Sequence, residues 1–208
     1  MTRKFLHVGC GRKTKAETTI EFQTKNWKEI RLDIDADVNP DVVGSMLNME
    51  EVRTETFDAI YSSHNIEHVY PHEVPVALSE FHRVLEPDGF VVLTCPDLQS
   101  VAALIADDKL TEAAYNSPAG DITPLDIFYG HGASIERGHH YMAHKTGFTL
   151  KTLFEAFKTA GFSASCGLKR GKPFYDLWIL ASKSDRDEST LKNLASSHFP
   201  MNQNNVAK

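Results

Sequence analysis

The sequence predicts an α/β fold on a mostly parallel sheet that closes with an antiparallel strand, and three observations carry this. The apolar run Phe5-Leu6-His7-Val8 leads straight into Gly9-Cys10-Gly11, a strand ending in a turn where bare backbone is wanted. Strand-like runs then alternate with polar or helical stretches, the pattern of βα units. The last two runs are joined by Lys169-Arg170-Gly171-Lys172-Pro173, enough for a hairpin but too short for a parallel crossover.

The first five strands are expected at residues 5–8, 30–34, 41–43, 57–61 and 90–94. Before the fifth, Val74, Ala77, Leu78, Phe81, Val84 and Leu85 recur at helical spacing, with Pro71 and Pro75 confined to the start, where a missing amide hydrogen costs little. Glu86-Pro87-Asp88-Gly89 reads as a turn. Asp97 caps a further helix whose stripe is Val101, Leu104 and Ile105. Residues 110–147 are expected to be irregular, an insertion forming a lid over the site rather than a second domain. Thr149 opens a helix through Leu150, Leu153, Phe154 and Phe157 that stops at Gly161. The closing strands are expected at 163–168 and 174–181, and residues 184–208 form a polar tail, frayed or loosely docked.

A chain of 208 residues with 41% hydrophobic and 24% charged side chains suits one globular domain, expected over residues 1–183. A formal charge of −6 argues against general nucleic-acid binding, which favours a Lys/Arg-rich face. Cys10, Cys95 and Cys166 are far apart and form no C-x-x-C pair, so they read as small apolar fillers. No signal-like or membrane-length apolar run is seen, and the expected compartment is the cytoplasm.

The chemistry starts at the first turn. Gly9 and Gly11 let backbone approach a ligand, and Asp33-Ile34-Asp35 at the next strand end supplies a carboxylate for ribose hydroxyls. Together they point to a nucleoside-bearing cofactor. The third glycine of a dinucleotide fingerprint is replaced by Thr14, and no P-loop glycine precedes Lys13-Thr14.

Several words along the chain resemble the class I S-adenosylmethionine-dependent methyltransferases, in their small-molecule, type 11-like branch. His7-Val8-Gly9-Cys10-Gly11 resembles the glycine-rich first motif, Leu32-Asp33-Ile34-Asp35 the acidic second motif, and the run from Phe57 to His68 the fourth-strand motif. Arg83-Val84-Leu85-Glu86-Pro87-Asp88-Gly89 resembles the crossover R-V-L-x-P-G-G, with Asp88 where glycine is usual. The resemblance implies a Rossmann-like, doubly wound seven-stranded sheet of order 3-2-1-4-5-7-6 and S-adenosylmethionine as cofactor. It implies that Gly9 and Gly11 admit the amino-acid portion, Asp33 holds the ribose, Ser45 and Met46 border adenine, and Ser62, Ser63 and His64 line the methyl-transfer end. Ser45 stands where the family often has an acid.

The implied reaction is methyl transfer to oxygen or nitrogen of a small-molecule acceptor, with His64, His139 and His140 as candidate bases and Tyr129 and Tyr141 as pocket walls. Base-directed N-methylation of nucleic acid is disfavoured, because Ser62-Ser63-His64-Asn65 is not N/D-P-P-Y/F. His64-Asn65-Ile66-Glu67-His68 matches the zinc-peptidase word H-x-x-E-H, but it follows a strand and meets Pro71. His131, His139, His140 and His144 are imidazoles suited to a base or a metal; no metal is expected. Two alternatives are a non-catalytic S-adenosylmethionine-binding or partner-binding protein and an NAD(P)-linked oxidoreductase.

Overall fold

In the computed structural model, which describes residues 2–200 and 206–207, the strands are β1 (Arg3–Val8), β2 (Trp27–Asp33), β3 (Val42–Val43), β4 (Phe57–Ser63), β5 (Leu85–Pro96), β6 (Tyr115–Ser117), β7 (Gly120–Ile122), β8 (Ala164–Arg170), β9 (Asp176–Ser182) and β10 (Val206–Ala207). The helices are α1 (Ile20–Gln23), α2 (Val74–Val84), α3 (Leu98–Ala106), α4 (Pro124–Tyr129), α5 (Gly132–Glu136), α6 (Leu150–Thr159) and α7 (Glu188–His198). The main sheet runs β10-β8-β9-β5-β4-β1-β2-β3. Pairing is parallel from β5 through β4, β1 and β2 to β3, while β9 is antiparallel to both β5 and β8. With β8 and β9 as sixth and seventh strands, this is the order 3-2-1-4-5-7-6 that the resemblance implied, and β10 adds an unexpected eighth strand beside β8.

The period-two alternation of β1 divides the core. Leu6 and Val8 point into one layer with Leu32, Ile60, Leu78 and Phe81, while Phe5 points into the other with Phe22, Trp27, Phe90 and Leu180. α2 and α6 cover the first face, and α1 and α7 the second. Covering both faces leaves the open rim at the carboxyl ends of the parallel strands as the place for a ligand.

Three expectations are corrected. The turn expected at 86–89 is an irregularity inside β5, since Phe57 pairs with Leu85 but Ala59 with Phe90. Residues 110–147 are not irregular: they hold the hairpin β6–β7, α4 with Pro124 at its start and a Thr123–Asp126 capping box, and α5. The tail is not frayed over 188–198, where α7 buries Leu191, Ala195 and His198 and is followed by buried Phe199. His198 Nδ1 lies 2.8 Å from Thr19 Oγ1. Average polarity hides a helix whose few apolar residues all fall on one side. Among the described residues no helix is long and apolar enough to cross a membrane.

Candidate active site

β1, β2 and β4 end side by side, and their loops enclose a cavity of about 730 Å³. Gly9 and Gly11 have φ of +67° and +53°, the left-handed region that glycine enters without a Cβ penalty. A Cβ on Gly9 would stand 2.3 Å from the Asn65 side chain. Gly11 is open: a Cβ there would meet nothing within 4 Å among the described residues. The first loop therefore presents bare backbone to the cavity at one position and admits Asn65 at the other.

Asp33 is buried and braces two loops, its Oδ2 accepting from Gly11 N at 2.7 Å and its Oδ1 from Asp35 N at 2.9 Å. Arg31 sews the same loops together, donating to the carbonyls of Gly11 (2.6 Å), Lys13 (3.0 Å) and Asn39 (2.9 Å). Charge-assisted bonds of this kind are stronger than neutral ones. Arg31 escaped the sequence reading; its signal is a long cation in a strand two residues before the acidic cluster.

Of the residues singled out in the sequence, the structure brings Gly9, Gly11, Asp33, Ser45, Met46, Ser63, His64 and His139 to this one cavity, and Asp35 and Asn65 join them. It does not bring Ser62 or His140. Strand alternation turns Ser62 into the buried interior, and His140 is exposed outside the lining. His131 is not among the lining residues, although its Nδ1 lies 2.8 Å from Oγ of Ser134, which is. Tyr141 lines the cavity whereas Tyr129 does not.

The insertion reaches the opposite loop through Tyr141, whose hydroxyl donates to Asp35 Oδ2 at 3.0 Å and lies 2.8 Å from His139 Nδ1. Burial, and then the hydrogen bond and charge of Asp35, push the Tyr141 phenol above its usual pKa. A second tie joins the insertion to the fourth-strand loop, where Lys145 N and Thr146 N both donate to the Glu67 carbonyl, at 2.8 and 3.2 Å.

His64 sits at the end of β4 with φ of +51° and its side chain is 45% exposed, so it is reachable from the cavity. Its Nδ1 lies 3.6 Å from Oε1 of Glu67, outside hydrogen-bonding distance. Burial alone would raise the Glu67 carboxyl, but His64, His68 and His144 around it turn the net direction downward. Burial lowers His144, opposed by the Glu67 charge. The sequence reading singled out Glu67 within a motif; its meeting with His144 had no local signal.

Residues 6–93 match the family model described as a methyltransferase domain. Curated protein sequences give no match. Among solved structures, a SAM-dependent methyltransferase from Archaeoglobus fulgidus is 16% identical with a TM-score of 0.59, over 87% of this chain and 86% of its own. A possible histamine N-methyltransferase from Thermotoga maritima is 15% identical with a TM-score of 0.55, over 88% of this chain and 83% of its own. The 1,6-didemethyltoxoflavin-N1-methyltransferase of Burkholderia thailandensis, solved with 1,6-didemethyltoxoflavin and S-adenosylhomocysteine bound, is 16% identical with a TM-score of 0.54, over 88% of this chain and 72% of its own. Residues 6–93 are thus similar to a methyltransferase domain, and the chain shares the fold of these SAM-dependent methyltransferases.

Proposed function

We propose, from the similarity of residues 6–93 to a methyltransferase domain and from the shared fold, that the chain transfers a methyl group from S-adenosylmethionine to an oxygen or nitrogen of a small-molecule acceptor. The observation that carries the reading is the shared cavity lined by Gly11, whose amide donates to Asp33, and by the Asp33 and Asp35 carboxylates. This donor set fits the cofactor. Glycine backbone leaves room for its amino-acid portion, and a carboxylate at the β2 end suits ribose hydroxyls. Each oxygen of Asp33 already accepts one backbone hydrogen, and a carboxylate oxygen has lone-pair capacity for a second. Ser45 and Met46 border the adenine end, and Ser63 and His64 the reacting end.

When bound, S-adenosylmethionine supplies a methyl group activated by its sulfonium; the S–C bond breaks toward sulfur as the acceptor's lone pair forms the new bond. The chain's own part is positioning, exclusion of water and removal of the acceptor proton. His64 is the first candidate to take that proton, being on the cavity wall with Glu67 behind it to stabilise the imidazolium that forms. His139, held by Tyr141 on the insertion, is the second. The insertion, tied to Asp35 and to Glu67 from the other side, is placed to cover the cavity as a lid.

Calorimetric titration with S-adenosylhomocysteine tests the reading. Binding is expected, weakened at least about tenfold in Asp33→Ala, which removes a charged acceptor. Reduced nicotinamide cofactor is expected to give no fluorescence response. A wild-type chain that ignores S-adenosylhomocysteine at millimolar concentration overturns the proposal.

A further inference from the structure

We propose that Glu67, His68 and His144 form a binding site for a divalent transition-metal cation of the zinc type in the wall of the cavity. One donor atom from each residue lies within 4.8 Å of those of the other two, and a cation with bonds of about 2.0–2.2 Å draws such a set together with small side-chain movements.

Two independent features point to a cation. First, Glu67 is 1% exposed and, among the described residues, neither carboxylate oxygen has a hydrogen-bond partner, His64 Nδ1 stopping at 3.6 Å from Oε1. A buried carboxylate without donors is among the costlier arrangements a fold can hold. Second, the two imidazoles are oriented the wrong way to supply a proton. His68 Nδ1 faces the Ala143 carbonyl at 3.2 Å and His144 Nδ1 faces the Ile127 carbonyl at 2.8 Å. A carbonyl only accepts, so each neutral ring carries its hydrogen on Nδ1 and keeps the Nε2 lone pair. His144 Nε2 then confronts Glu67 Oε1 at 4.0 Å, acceptor against acceptor. A cation between them turns this repulsion into coordination. Anchoring the far ring nitrogen on a backbone carbonyl is also how metal-ligating histidines are commonly held.

The chemistry of the set favours zinc-like ions, since two imidazoles and one carboxylate with a position left open is a known catalytic zinc arrangement. His68 lines the cavity while Glu67 and His144 do not, so an acceptor in the cavity would reach the cation from the His68 side. Resting on the methyl-transfer reading, this narrows the acceptor to one that offers an oxygen to the cation, a phenol, enol or similar hydroxyl whose acidity the cation raises. The cation site itself does not depend on that reading.

The test uses the full chain, freed of metal by a chelator and dialysed, then titrated with Co2+ by visible absorption and with Zn2+ by calorimetry. Expected is one cation per chain, with affinity reduced about tenfold or more in His68→Gln, His144→Gln and Glu67→Gln. S-adenosylhomocysteine binding, measured on the same samples, reports whether each variant is folded; should Glu67→Gln fail this check, the two less buried histidine variants decide. A wild-type chain that binds S-adenosylhomocysteine but neither metal overturns the cation site and leaves the methyltransferase reading standing. Metal binding that survives both histidine substitutions places the ion elsewhere and equally overturns it. Metal bound without S-adenosylhomocysteine affinity supports the cation site and sinks the methyl-transfer reading instead.

Discussion

The two ends of the cavity are built differently. At the β1–β2 end, Arg31 and Asp33 satisfy loop carbonyls and amides with charge-assisted bonds, so backbone geometry is set before a ligand arrives. At the β4 end, Glu67 is buried among His64, His68 and His144 with ion-pair distances of 3.6 and 4.0 Å and no hydrogen bond to its carboxylate among the described residues. Each Asp33 oxygen already holds one backbone partner, whereas among the described residues neither Glu67 oxygen holds any. Hydrogen-bond saturation, rather than burial, therefore distinguishes the two ends, since Asp33 and Glu67 are both buried.

The contrast is broken most directly at His64. Replacing it by Ala is expected to lower kcat about 100-fold or more, the usual scale for a general base, while S-adenosylhomocysteine affinity stays within about threefold; an equal loss of both in steady-state kinetics and calorimetry would mean the two ends are not separable. Next in size, Gly9→Ala drives a Cβ into Asn65 and forces φ of +67° on a residue that carries a Cβ. Overpacking of about 1–3 kcal/mol should appear as roughly a tenfold to hundredfold weaker cofactor affinity, with kcat at saturation reduced much less.

A third prediction concerns the opposite face of the sheet, as a control for both ends. Burial, with Arg3 nearby, lowers His198 to about 3. A histidine whose folded pKa is depressed stabilises the fold above its unfolded value, near 6.5, and that contribution is lost as pH falls from there toward 3. Stability against thermal unfolding should therefore fall below pH 6.5 by up to about 1.4 kcal/mol per unit from this group, and His198→Gln should flatten the slope without moving cofactor affinity at pH 7.5. The smallest effect is expected from Tyr141→Phe, which removes the hydroxyl joining His139 to Asp35. One exposed hydrogen-bonded bridge contributes about 0.5–1.5 kcal/mol, so KM for the acceptor should rise a fewfold with no change in thermal stability.

Much of the architecture was legible. The apolar runs of β1 and of the second half of β5, the Val74 to Val84 stripe of α2 and the Thr149 cap of α6 are local patterns, and each appears close to where the spacing puts it. α7 was missed because its buried residues, Leu191, Ala195 and His198, are diluted by polar neighbours, and the hairpin and helices of 110–147 because each is too short for periodicity to register. At the site, the glycines and acids of the loops could be read from their words; Arg31 and the Glu67–His144 pair could not.

The positions of most strands, the glycine turn and the carboxylate beside it follow from repeats and spacings within a few residues, whereas the sheet order came from the family resemblance. Only the tertiary structure decided that Arg31 would clamp two loops and that His144, from the far insertion, would arrive against Glu67. Such meetings are set by how elements distant in sequence pack, and neither period nor propensity encodes them.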